Sequence, residues 1–153
     1  MTEEGIILEA DQRHAEIMIK DAGLKNDSKG VVTPGVSGDE INNEGLEGER
    51  ATKYRAAVAR ENYLSQDRSD IQYAVKELSR GMSRPTVEHE ERLKRLARYL
   101  VDKTRVRTLF KYQGEVNEVT TYTDRDSAGC SRTRKSTSGG VIMFGQHVIK
   151  TWS

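Results

Sequence analysis

The stretch Val119-Thr120-Thr121-Tyr122-Thr123-Asp124, followed by Arg125-Asp126-Ser127-Ala128-Gly129-Cys130, decides how this chain is read. Its first half alternates apolar and polar residues, the period of a half-buried strand, and ends on an acid. A carboxylate at the end of a strand is one way that metal-dependent phosphodiester-cleaving enzymes hold magnesium. If the strand continues, Asp124 and Asp126 lie on one face and can share a cation; otherwise Asp126 and Ser127 open a solvated turn. Beyond it, Arg134-Lys135-Ser136-Thr137-Ser138-Gly139-Gly140 is small, polar and basic. With Arg132, its cations and backbone N–H groups suit a phosphate backbone, or it is simply a solvated connection. Its glycine and lysine positions are wrong for a P-loop.

Working outward, Val106–Tyr112, Val119–Asp124, Gly140–Phe144 and His147–Trp152 read as strands, the last two a hairpin around Gly145-Gln146. Upstream the period changes to helical. Asp11 caps a first helix with Ala15, Met18, Ile19 and Ala22 on one face and Gly23 as its stop. Arg50–Leu64 forms a second, turning Ala51, Tyr54, Ala57 and Val58 inward. Ser69 and Gln72 make a capping-box pattern for a third, striped by Ile71, Ala74, Val75, Leu78 and Met82. Thr86 caps a fourth, with Glu88, Glu90 and Glu91 in its first turns and a stripe of Leu93, Leu96, Ala97, Leu100 and Val101. Residues 25–49, rich in Gly, Ser, Asn and acids, read as a flexible linker, with Val31-Val32-Thr33 as a short extended piece before Pro34. The fold class expected is α+β.

Hydrophobic residues make up 35% of the 153 and charged ones 32%, which predicts a modest core under a highly charged surface. No apolar run approaches a membrane span and the N-terminus is acidic, so an intracellular, soluble protein is expected, in cytoplasm or nucleus. The lone Cys130 makes neither an internal disulfide nor a zinc cluster. Residues 1–50 carry 5 Lys/Arg against 12 Asp/Glu, and residues 51–153 carry 20 against 12. The second part suits a polyanion; the first does not. Arg92, Arg95 and Arg98 recur every third residue on the fourth helix and form a row that can track phosphates, or an exposed helix face. His14, His89 and His147 are far apart, and nothing points to a catalytic triad.

Tyr122-Thr123-Asp124-Arg125-Asp126-Ser127-Ala128-Gly129, then Arg134-Lys135-Ser136-Thr137-Ser138-Gly139, then Lys150-Thr151-Trp152-Ser153, resembles the start of the RNase H domain in copia-type retrotransposon polyproteins. Tyr54–Ser65 and Arg68–Val75, with Pro85-Thr86, His89 and Arg95-x-x-Arg98-Tyr99-Leu100, resemble the segment linking polymerase to RNase H. Glu9–His14 through Val32–Gly35 is similar to the end of the polymerase domain. The resemblance implies residues 1–24 as the end of a polymerase-like segment, 25–49 as a linker, 50–104 as a helical connection and 105–153 as the beginning of an RNase H-like domain with a three-stranded antiparallel sheet. It also implies Mg²⁺, an RNA–DNA hybrid substrate and the rest of a Pol polyprotein as partner. Asp124 matches one of the family's four metal-binding carboxylates. Asp126 matches the motif but is not one of the four, and Ser127 stands where the family has tryptophan. The other three acids would lie beyond Ser153.

The first expectation is therefore a polyprotein-derived segment that is catalytically incomplete by itself. Its C-terminal third, lacking a covering helix, is expected to be marginally stable and prone to association. The alternative is a non-catalytic nucleic-acid-binding module using Arg92, Arg95 and Arg98 with Arg132, Arg134 and Lys135. A third possibility is an active nuclease completed by another chain.

Overall fold

Apolar spacing and caps set the helices. In the computed structural model, which describes residues 2–25, 27–36, 43–129 and 134–153, α1 (Gln12–Asp21) starts at Asp11, whose side chain accepts the Arg13 N–H. It ends before Gly23 at φ +70°. The helix α2 (Gly48–Leu64) buries Ala51, Tyr54, Ala57, Val58, Glu61 and Leu64. The expected capping box at Ser69 does not form. Residues Ser69–Ile71 make a 3-10 turn, and α3 (Gln72–Arg80) begins without a side-chain cap. Gln72 instead donates from its amide to the Ser65 carbonyl, so its side chain is committed to the preceding corner. Thr86 does cap α4 (Val87–Val101), with His89 as the reciprocal partner: His89 Nδ1 accepts the Thr86 N–H at 3.1 Å.

These helices form one compact unit, Ala10–Val106. Every residue of the buried apolar core lies in it, from Ala15 and Met18 on α1 to Leu96, Ala97 and Leu100 on α4. The 25–49 stretch contributes more than its composition suggests. Leu46 is buried, its N–H bonds the Pro85 carbonyl, and Gly45 bridges to Thr86. Val31-Val32-Thr33 is not a strand: Val31 packs against the core while Val32 is 86% exposed.

At the corner between α2 and α3, Arg68 is 1% exposed. Its guanidinium forks onto Asp70 at 2.8 and 2.7 Å and donates to the Lys103 carbonyl at 3.0 Å. Tyr99 adds its hydroxyl to Asp70 at 2.9 Å. Burial alone would raise the Asp70 pKa, but the hydrogen bonds from Arg68 and Tyr99 and the Arg68 charge outweigh it and hold the carboxyl below its ordinary value. Burial, then the bond to Asp70, pushes Tyr99 up to about 12.

The second unit comprises Met1–Glu9 with Arg107–Ser153. Its strand β1 (Gly5–Glu9) pairs antiparallel with β2 (Arg107–Lys111), Gly5 opposite Lys111 and Glu9 opposite Arg107. No sequence signal marked β1. Strands β3 (Val119–Asp126), β4 (Thr137–Phe144) and β5 (His147–Trp152) form an antiparallel sheet in the order β3-β4-β5. Both β3 and β4 are longer than the alternation suggested, and Thr137–Gly139, expected as a connection, is strand. Among the described residues of this unit only Gly5 is buried. The fold is α+β, with a core in the helical unit and sheets that stay open.

Glu61 is the exception in that core. It is fully buried, and neither carboxyl oxygen has a hydrogen-bond partner among the described residues. Burial raises its pKa from 4.5 to about 7, against the opposing fields of Arg60 and Arg68. Below pH 4.5 the group is protonated in both folded and unfolded chains, and no ionisation penalty arises. Stability is then lost as pH rises to about 7, by about 3 kcal/mol, and is flat above. Glu61→Gln should therefore stabilise the protein by about 2–3 kcal/mol at pH 8 and by almost nothing at pH 4.5. Urea denaturation at the two pH values checks this, and equal effects at both would refute the buried-acid account.

Candidate functional site

The acid singled out by the motif sits on β3. In the antiparallel register Asp124 faces Gly139 and Asp126 faces Thr137. Since β3 runs through Asp126, the two carboxylates lie on one face of the sheet. Gly139 places no side chain beside Asp124, which is exposed. Its Oδ1 accepts the Arg125 N–H at 2.9 Å, and Oδ2 is open among the described residues. Asp126 folds back toward the following turn, close enough that a Cβ at Gly129 would overlap its carboxylate. Among the described residues no group of three or more His, Cys, Asp or Glu side chains could hold a metal ion. Asp124 and Asp126 alone do not constitute such a site.

The connection from β3 to β4 is anchored by Ser136. Its hydroxyl accepts from the Ala128 N–H at 3.4 Å and from Arg125 Nη2 at 3.3 Å. Ala128 and Arg134 both take positive φ, 56° and 55°. Arg134 and Lys135 are exposed at the start of β4. Cys130 and Arg132 lie outside the described residues.

In the helical unit Arg92, Arg95 and Arg98 do share one face of α4, but that face is half-buried. Arg92 bonds Glu88 at 2.9 Å, Arg95 donates to the Thr33 hydroxyl at 2.9 Å, and Arg98 donates to the Lys29 carbonyl at 3.3 Å. Arg95 Nε is buried with no partner among the described residues. The row thus holds the 29–33 segment against α4, as its spacing could not reveal. Arg95→Ala with Arg98→Ala should lower stability by about 1–2 kcal/mol, read by urea denaturation of the full chain.

The last motif, Lys150-Thr151-Trp152, also has a structural role. Gly140 faces Trp152 across the β4–β5 pair, and a Cβ at Gly140 would clash with the edge of the indole ring. Gly140→Ala should displace the ring, destabilise the sheet unit by about 1–3 kcal/mol and red-shift the emission of Trp152. The β4–β5 turn is held from outside: Gln113 Oε1 accepts the Gln146 N–H at 3.0 Å and its amide donates to the Phe144 carbonyl at 3.2 Å. His147 Nε2 lies 2.7 Å from the Lys111 carbonyl, which can only accept, so Nε2 carries the proton and Nδ1 accepts from Gln113 at 3.2 Å.

This sheet, with its motif acid in register and a helical unit beside it in sequence, is carried by a homologue of transposon Pol polyproteins; the chain belongs with the retrovirus-related Pol family, in keeping with its copia-type motifs. It is 40% identical over 102 residues to the retrovirus-related Pol polyprotein from transposon RE1 of Arabidopsis thaliana, covering 67% of the chain and 7% of that protein. It is 35% identical over 127 residues to the corresponding polyprotein from transposon RE2 of the same plant, covering 82% of the chain and 9% of that protein. An uncharacterised mitochondrial protein of A. thaliana is 36% identical over 100 residues, 65% of the chain and 41% of that protein. The chain thus spans less than a tenth of either Pol polyprotein. No family model matches it, and no solved structure does. Among the described residues no helix is long and apolar enough to cross a membrane.

Proposed function

We propose that this chain serves a Pol polyprotein as the junction between reverse transcriptase and RNase H. The helical unit is the connection, and β3, β4 and β5 are the opening strands of a nuclease domain acting on RNA in RNA–DNA hybrids. The observation that carries this reading is the position of Asp124, on a strand of a three-stranded antiparallel sheet, opposite a glycine and with one carboxyl oxygen open. On this reading Asp124 supplies one carboxylate toward Mg²⁺ and Asp126 shapes the turn that follows. The described residues do not complete a metal-binding set, so no catalytic step is assigned to this chain alone. The alternative, a binding module built on the α4 arginines, has less support because all three already have protein partners.

The test is cleavage of a labelled RNA–DNA hybrid, with Mg²⁺, by a Pol protein that contains this segment. Asp124→Asn should lower the rate by about 100-fold or more with hybrid affinity retained, and Asp126→Asn should keep most of the activity. Wild-type cleavage by Asp124→Asn would end the assignment.

A further inference from the structure

The start of α4 is closed by a histidine at the position where a reciprocal cap usually has glutamate or glutamine. His89 is 4% exposed and Thr86 5%. His89 Nδ1 accepts the Thr86 N–H at 3.1 Å and lies 2.7 Å from the Thr86 hydroxyl. A backbone N–H can only donate, so Nδ1 is bare and the neutral ring carries its proton on Nε2. Unlike a glutamine oxygen, this acceptor is lost when it takes up a proton. The Thr86 hydroxyl can turn to receive the new N–H. The Thr86 backbone N–H cannot turn, and it is left buried without its acceptor.

The cap also holds a second piece of chain. Gly45 bridges to Thr86, the Leu46 N–H bonds the Pro85 carbonyl at 2.8 Å, and the Val87 N–H bonds the Glu44 carbonyl at 2.9 Å. The ring itself is walled in: a Cβ at Gly81 would overlap its Cδ2 and Nε2, and the Tyr54 ring stands tilted against it at 5.9 Å. Tyr54 spends its hydroxyl on the Leu78 carbonyl. The charged side chains of the elements that meet here are Glu44 and Glu47 before α2, Arg50 and Arg55 on α2, Glu77 and Arg80 on α3, Arg84 in the turn, and Glu88, Glu90 and Arg92 on α4. Glu88 pairs with Arg92, Glu90 with Arg50 and Glu77 with Arg80, while Arg55 bonds the Met82 carbonyl. The acids of α4 that would favour an imidazolium are thus engaged by arginines, and the positive end of the helix opposes one in the first turn.

We propose that His89 is an acid-sensitive latch: neutral, it holds the Glu44–Leu46 segment against the start of α4, and protonated, it lets that segment go. An unfolded histidine titrates near about 6.5. Above that pH the closed and open forms are both neutral and the latch is at full strength. Below it the open form takes up a proton that the closed form can take only by giving up the Thr86 bond. Closing therefore weakens as pH falls, by up to about tenfold per pH unit. The device lies wholly inside the helical unit and uses neither Asp124 nor the sheets, so it stands apart from the nuclease reading.

The test is amide hydrogen exchange of the full chain at pH 7.5 and pH 5, read as protection factors so that the intrinsic pH dependence of exchange divides out. Leu46, Thr86 and Val87, the three donors of the latch, should lose protection together by about 3- to 30-fold at pH 5. Glu61 acts with the opposite sign, since its burial penalty fades as pH falls below about 7. Protection at Val58 in the middle of α2 should therefore hold or rise, which separates the latch from global unfolding. His89→Gln keeps an oxygen acceptor at every pH and should abolish the fall at the three amides. Independently of any variant, the ring nitrogens of the wild-type chain at pH 7.5 should show a bare Nδ1 and a protonated Nε2 by nitrogen-15 resonance. A protonated Nδ1 at pH 7.5, equal protection of the three amides at both pH values, or the same fall in a folded His89→Gln chain would each overturn the proposal.

Discussion

One ion pair, with a buried arginine and a partly exposed aspartate, organises the helical unit. The Arg68 guanidinium is closed off from solvent and spends its donors on Asp70 and on the carbonyl of Lys103. The corner after α2, the 3-10 turn before α3 and the residues after α4 thus converge on one group. Asp70 is completed by Tyr99 from α4. The two partners are unequal: losing Arg68 leaves a carboxylate that water still reaches, whereas losing Asp70 strands a buried guanidinium, at a cost of up to about 3–5 kcal/mol. The pair also explains Glu61. Arg68 lies near enough to lower the Glu61 pKa, yet its hydrogen bonds go to Asp70, and Glu61 stays protonated to near neutrality.

What the sequence disclosed follows from the range of the forces involved. Helices whose stripe and cap lie within a few residues were legible: Asp11 for α1, Thr86 for α4, and the inward set of α2. The Ser69 capping box failed because the pattern is local, whereas Gln72 is claimed by Ser65 and the neighbouring turn by the Arg68–Asp70 fork. Strand β1 was invisible because its partner lies a hundred residues away. The three-residue spacing of Arg92, Arg95 and Arg98 identified their common face correctly but not its covering, which Thr33 and Lys29 provide.

The candidate site was legible for a different reason. Asp124 and the motifs after it were read from resemblance, and the Pol relatives agree with that reading at the level of the polyprotein. The division of side chains between the two faces of the sheet had no such route. Arg125, Phe144, Lys150 and Trp152 come from three strands, and that they share a face follows only from the register and the irregularity between Ile142 and Met143. Buried residues are scarce among the described residues of the sheet unit, and ladder hydrogen bonds alone contribute little against chain entropy.

The β1–β2 ladder gives the chain an order of assembly. Glu9 and Arg107, paired across it and joined by an ion pair at 3.0 Å, are the residues at which the chain leaves the sheet unit and returns to it. The helical unit is in effect a long insert between two adjacent strands. A flexible insert of that size would oppose the pairing through loop-closure entropy. A prefolded one whose ends already lie close together would remove most of that cost. During synthesis β1 emerges first but must wait for β2, so the helices have time to fold while it is unpaired. On this view the helical unit is the template on which the N-terminal strand finds its partner.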